Sequence, residues 1–251
     1  MTYAISFSPT GGTEKVLEML GKDFPADSKI DLCERRSFSD CALTEDDLCL
    51  IGVPAYGGRV PAAAIERLKQ IKGNGARAIL VAVYGNRAFD DTLLELKDTA
   101  KACGFRPVAA IAAVAEHSIA RQYAAGRPDA EDASLLHSFA AAIQTKLKEH
   151  PEQEDVAVPG NSPYCKAGGA PMTPKADKKC TACGICAEQC PVGAIDKANP
   201  AVTNGKACIA CMRCVAVCPE NARKVNPLLL AAAGQMLKKA CRDRKRPELF
   251  L

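Results

Sequence analysis

Eight of the fourteen cysteines in this chain fall within forty residues, in a pattern that occurs twice: C-x2-C-x2-C-x3-C-P. The first copy is Cys180, Cys183, Cys186 and Cys190 followed by Pro191; the second is Cys208, Cys211, Cys214 and Cys218 followed by Pro219. Three thiolates at three-residue spacing can wrap one Fe4S4 cube, and its fourth ligand must then come from farther along the chain. Two zinc ribbons would instead pair C-x2-C knuckles across a longer spacer, so the zinc and disulfide alternatives fit this spacing poorly.

A run of this kind accounts for a small domain only, and 251 residues leave room for a second, larger one with a substantial core. Hydrophobic residues at 48% and charged residues at 25% are ordinary for a folded chain. With no basic segment leading into an apolar one at the start, the cysteines are expected to work as metal ligands in a reducing cytoplasm. No apolar run reaches eighteen residues, so no membrane span is expected. The net charge of +4 is concentrated at the end: residues 223–251 carry eight Lys or Arg against two Asp or Glu. That basic tail reads as a solvated terminus, with docking to an acidic partner or an anionic surface as the alternative. Nucleic-acid binding has no motif or aromatic set to support it.

Residues 3–7 read as a short buried strand. Ser8-Pro9-Thr10-Gly11-Gly12-Thr13 follows at once, and then the helical spacing of Val16, Leu17, Met19 and Leu20. Hydroxyls and free backbone N–H groups converge here at a helix start, whose dipole favours an anion such as a phosphate monoester. The loop is neither a Walker A loop nor G-x-G-x-x-G. The alternative is a turn that merely reverses the chain. Further strands are expected at 29–33, 48–53, 77–83 and 107–114, with helices at 61–71 and 90–102 between them. Five strands and their helices predict an α/β fold, a doubly wound parallel sheet. In the flavodoxin-like strand order its ligand crevice lies outside the carboxyl ends of the strands, between the first and the third. A last helix at 129–150, apolar at Leu135, Leu136, Phe139, Ile143 and Leu147, closes the domain.

That rule directs attention to two loops. The third strand runs into Pro54-Ala55-Tyr56-Gly57-Gly58, and the fourth into Tyr84-Gly85-Asn86-Arg87, with Phe89 and Asp90 just beyond. Gly57 and Gly58 suit positive φ and a close backbone approach, while Tyr56, Tyr84 and Phe89 are candidates for ring stacking. His117, at the end of the last strand, is expected to hydrogen-bond a loop, with a protonation-tuning role as the alternative. Residues 151–177 hold five prolines and read as an extended linker able to lie across the first domain. The cysteine run repeats at a period of 28 residues, so a pseudo-two-fold module of residues 178–225 is expected, shielded by Ile185, Ile195, Ile209, Val215 and Val217. Asn226 and Pro227 then cap a helix that leads into the tail, together 226–251. Cys33, Cys41, Cys49, Cys103, Cys165 and Cys241 read as incidental packing residues.

The loop Ser8, Thr10, Gly11, Thr13 resembles the flavodoxin phosphate loop [ST]-x-T-G-x-T, with Gly12 standing where many flavodoxins have Asn. The cysteine run resembles the bacterial two-cluster ferredoxins, in which the fourth cysteine of each run ligates the other cluster. Together with V-P-A-Y-G-G-R-V-P and V-Y-G-N-R-A-F-D-D, these stretches make residues 3 to about 225 resemble the flavodoxin/ferredoxin fusion proteins. The resemblance implies an FMN domain at 1–150, bound through the three loops named above, and a small α+β two-cluster ferredoxin domain at 178–225. It further implies that Cys180, Cys183, Cys186 and Cys218 hold one [4Fe-4S] cluster, and Cys208, Cys211, Cys214 and Cys190 the other. An electron carrier serving redox protein partners is then the leading expectation. A flavin-dependent reductase with its own small-molecule substrate, and an iron-sulfur carrier whose first domain is a flavin-free scaffold, are the alternatives.

Overall fold

The computed structural model describes residues 1–149, 155–168 and 172–251. Strands and helices alternate through the first part of the chain: β1 (Thr2–Ser6), α1 (Gly12–Leu20), β2 (Ser28–Asp31), β3 (Leu48–Pro54), α2 (Ala62–Leu68), β4 (Arg77–Tyr84), α3 (Thr92–Ala102), β5 (Arg106–Val114) and α4 (Ala130–Glu149). A short antiparallel pair, β6 (Lys175–Ala176) and β7 (Arg223–Lys224), brackets the cysteine-rich module, which contains the single-turn helices α5 (Ile185–Glu188) and α6 (Arg213–Ala216). The chain ends in α7 (Pro227–Leu237) and β8 (Glu248–Phe250).

The strand order β2-β1-β3-β4-β5 is parallel throughout. This is the flavodoxin-like order, with its switch point between β1 and β3. Strands β3, β4 and β5 are apolar and buried almost throughout because helices cover both faces of the sheet. One face packs Ile5, Phe7, Ile51 and Leu80 beneath α2 and α3, and the other packs Leu50, Ile79, Val81 and Ile111 beneath α1 and α4. Helix α1 turns Val16, Leu17 and Leu20 inward at helical spacing. In α4 Leu136 and Ile143 are fully buried, with Phe139 and Leu147 half-buried at the margin of the same core.

The tail differs from its sequence-based reading. It does not run free into solvent: β8 adds to β5 as an antiparallel sixth strand, in register Ala110↔Phe250, Ile111↔Leu249 and Ala112↔Glu248. Two of its cations pair with carboxylates of the first domain. Arg244 pairs with Asp129 at 2.8 Å and Arg246 with Glu131 at 3.3 Å, both carboxylates at the start of α4. The buried guanidinium of Arg127 holds Asp132 and donates to the Lys245 carbonyl at 2.8 Å. Arg244 and Arg246 thus meet the acidic N-terminus of α4, where a helix dipole favours carboxylates.

Of the expected linker, residues 151–154 and 169–171 lie outside the described residues, as does His150 at the end of the expected helix. The part from 155 to 168 runs over the first domain. Val156 is buried in the core; Asp91, itself fully buried, accepts the Asn161 N–H at 2.8 Å and the Cys165 N–H at 2.5 Å. These N–H groups hold the Asp91 carboxyl down to about 2. Arg59 braces the same stretch, donating to the Cys165 carbonyl while its head lies 4.7 Å from the Tyr164 ring centre.

The cysteine-rich module docks at the carboxyl ends of the strands. Arg35 donates to the Ala187 and Glu188 carbonyls, Arg67 to that of Pro191, and Arg213 to those of Ser8 and Pro9 at 3.3 and 3.4 Å. Val192 and Ile209 pack against the core of the first domain. The contact therefore falls on the side of the sheet where the strand order places a ligand crevice.

Candidate functional site

A cavity of about 390 Å³ opens at the switch point. Its floor is the set of loops expected from the sequence: Ser8, Thr10, Gly12 and Thr13; Pro54, Ala55, Tyr56, Gly57 and Gly58; Tyr84, Gly85 and Arg87. Helix α1 starts beside it with Gly11 in the left-handed region (φ 84°) and no side-chain cap. Ser8 Oγ accepts the Glu14 N–H at 2.9 Å. The N–H groups of Thr10, Gly12 and Thr13 donate no hydrogen bond among the described residues. Unspent donors at the start of a nine-residue helix, in a cavity lined by hydroxyls, fit an anionic phosphate group. Gly12 is accounted for by packing: a Cβ there would stand 3.2 Å from the Ala115 Cβ, so an asparagine would crowd the segment after β5.

The second loop adopts the backbone that its glycines permit, with φ of 60° at Gly57 and 85° at Gly58. A Cβ on Gly57 would lie 1.9 Å from the Gly168 carbonyl oxygen, so the linker is seated directly on this loop. Tyr56 is half-buried on the cavity wall, and its surroundings push the phenol well above its ordinary range, keeping it a neutral hydroxyl. The cause is burial first, with the Cys211 and Cys33 thiols adding to it. His117 also lines the cavity. Its Nδ1 accepts the Ile119 and Ala120 N–H groups at 3.2 Å and burial lowers its pKa, so the ring is neutral with its proton on Nε2.

Four of the expected residues are placed elsewhere. Gly11 shapes the turn without lining the cavity. Phe89 is buried against Tyr84, ring centres 5.5 Å apart, because it is the first apolar residue of the segment that packs down into the core. Asn86 is buried and spends its amide on the tail, donating to the Cys241 and Asp243 carbonyls and accepting the Lys245 N–H. Asp90 pairs with Arg87 and packs against Gly58.

The rest of the wall comes from parts of the chain that the loop rule does not reach. Ala233, Met236 and Leu237 of α7 line one side, and Ile209 and Ala210 another. Ile209 and Ala210 are the two residues between Cys208 and Cys211, so the second cysteine run itself walls the cavity. Helix α7 is capped as expected, Asn226 accepting the Leu228 N–H at 2.9 Å, and is tied down by Tyr123, which donates to the Gly234 carbonyl at 2.6 Å.

The eight cysteines divide between two smaller cavities. Cys180, Cys183, Cys186 and Cys218 line one; Cys190, Cys208, Cys211 and Cys214 line the other. Each quartet takes three thiols from one run and the fourth from the other. Among the described residues no three His, Cys, Asp or Glu side chains converge on a single metal-ion position. The thiols instead surround cavities, an arrangement that suits a polynuclear cluster. Arg223 supports the same fit. Only 2% exposed, it lines the first cavity with its Nε buried and unpartnered, a cation that an anionic cluster would neutralise. Burial pushes the Cys211 and Cys214 thiols up to about 12, so a metal held there would have to displace their protons.

Residues 179–223 match the family described as a 4Fe-4S dicluster domain. Among solved structures, the chain is similar to the flavodoxin of Streptococcus pneumonia TIGR4 (19% identity, 58% of this chain and 98% of that one, TM-score 0.41). It is similar also to flavodoxin 1 of Bacillus cereus (17%, 57% and 97%, TM-score 0.43) and to the flavodoxin of Megasphaera elsdenii (19%, 57% and 99%, TM-score 0.41). No curated protein matched the chain. The assignment of the first domain rests on the strand order rather than on these alignments. Among the described residues no helix is long and apolar enough to cross a membrane. A flavodoxin-like α/β fold over the first part of the chain, followed by a segment that matches the 4Fe-4S dicluster domain, supports an electron-transfer or redox role.

Proposed function

We propose that this chain is an electron carrier that exchanges electrons internally between FMN, in the cavity at the switch point, and two [4Fe-4S] clusters, and externally with redox proteins. The observation that carries this reading is the shared wall: Ile209 and Ala210 line the FMN cavity while lying between Cys208 and Cys211. FMN exchanges one or two electrons and each cluster one, so together they join two-electron to one-electron chemistry. The chain's own contribution is position and electrostatics. The free N–H groups of Thr10, Gly12 and Thr13 suit the FMN phosphate, and Tyr56 offers a half-exposed ring on the wall. Arg213, between Cys211 and Cys214, grips the Ser8 and Pro9 carbonyls and so ties the cluster-binding run to the phosphate loop. Gly168, Met172 and α7 residues Ala233, Met236 and Leu237 add apolar lining to the cavity. In this reading Cys180, Cys183, Cys186 and Cys218 hold the cluster remote from the flavin, and Cys190, Cys208, Cys211 and Cys214 the adjacent one. Protein purified without oxygen is expected to contain about eight irons per chain and one acid-released FMN. Iron without flavin would overturn the conduit and favour a scaffold; zinc in place of iron would overturn both cluster sites.

A further inference from the structure

The internal repeat of 28 residues places Ile195 and Arg223 at equivalent positions, following Cys190-Pro191 and Cys218-Pro219. Their surroundings are equivalent too: Ile195 lines the cavity of Cys190, Cys208, Cys211 and Cys214, and Arg223 that of Cys180, Cys183, Cys186 and Cys218. Their chemistry is not. Ile195 is a buried apolar wall, 4% exposed. Arg223 is a buried cation that donates from Nη2 to Cys186 Sγ at 3.3 Å and from Nη1 to Thr203 Oγ1 at 2.6 Å, with a further bond to the Pro200 carbonyl. Arg223 forms no ion pair with a carboxylate among the described residues.

We infer that Arg223 sets the potential of the remote cluster, making it easier to reduce than it would be with the isoleucine its repeat partner carries. The inference rests on the two-cluster reading above. Reduction adds one electron to the cluster and, at Arg223, makes and breaks no covalent bond and moves no proton. The negative charge therefore grows while the guanidinium stays fixed, and a buried cation hydrogen-bonded to a ligand sulfur favours the more negative state. The other cavity has a cation of its own in Arg213, but that side chain is half-buried, turns to the Ser8 and Pro9 carbonyls, and makes no hydrogen bond to a cysteine sulfur. The consequence is directional: an electron entering from the flavin side is drawn toward the remote cluster.

The test is a dithionite titration of the full chain under argon, followed by electron paramagnetic resonance, on the wild type, Arg223→Ile and Arg223→Lys. Arg223→Ile is expected to make the reduction of one cluster at least tenfold less favourable, about 59 mV for a one-electron couple. The shifted signal should be the one that Cys218→Ala removes, and Arg223→Lys should recover most of the shift. Equal shifts in both clusters, or none, would overturn the inference. If Arg223→Ile fails to load its cluster, Arg223→Gln, which keeps a donor but drops the charge, decides in the same way. Iron content and spin count of the wild type report separately on whether two clusters are present, so a failure of that reading is distinguishable from a failure of this one.

Discussion

Replacing Cys190 by alanine is expected to remove the cluster beside the flavin cavity, even though Cys190 belongs to the other cysteine run. Its Sγ shares a cavity with Cys208, Cys211 and Cys214, and accepts the Ala194 N–H at 3.2 Å, which orients it. The variant should lose about half its iron, keep the other cluster's resonance signal, and lose electron exchange between flavin and iron-sulfur centres. Cys218→Ala is the complementary case. Cys218 lies with Cys180, Cys183 and Cys186, so its loss should strip the remote cluster and leave exchange with the flavin in place. If Cys190→Ala kept flavin exchange while Cys218→Ala abolished it, each run would be holding its own cube, contrary to the division of the cavities.

The largest expected loss of stability is at Arg127. Its side chain is 4% exposed and that of Asp132 is 1% exposed; they meet through two hydrogen bonds, the Nε–Oδ2 bond measuring 2.8 Å. Arg127 also holds the Lys245 carbonyl, so one guanidinium joins the start of α4 to the tail that carries β8. Arg127→Leu leaves a buried carboxylate without its partner, a change that costs about 3–5 kcal/mol. Arg244, 3.5 Å from Asp132 and 40% exposed, is too well solvated to replace it. Urea unfolding followed by far-ultraviolet circular dichroism measures the loss, and the double variant Arg127→Leu/Asp132→Leu should recover part of it. A loss below about 1 kcal/mol would mean that the pair behaves as a surface ion pair.

How much of this could be read before the fold is known depends on the range of each interaction. The cysteine spacing is local and carries its chemistry with it. The central strands are legible because burial on both faces leaves continuous apolar runs, and their order then fixes which loops meet at the crevice. Loop position does not fix side-chain direction, which is why Asn86 and Phe89, adjacent in sequence to lining residues, turn to the tail and to the core. Strand β8 is three residues long and pairs across more than a hundred positions, and no local pattern separates it from a basic tail. The contributions of Ile209, Ala210 and α7 to the cavity arise from docking between parts of the chain. Arg223 runs against the expectation that arginine is solvated. Aligning the two halves of the cysteine repeat would have exposed it, since it stands where the first half has Ile195.

The central claim is that electrons pass between the flavin cavity and the cysteine cavities within one chain. Flash photoreduction of the flavin in anaerobic, fully loaded protein, monitored by the bleaching of iron-sulfur absorbance, tests it most directly. Internal transfer predicts a first-order bleaching phase whose rate does not change when the protein is diluted tenfold. A rate that falls in proportion to protein concentration, or a flavin that is reduced while the clusters stay oxidised, would contradict it.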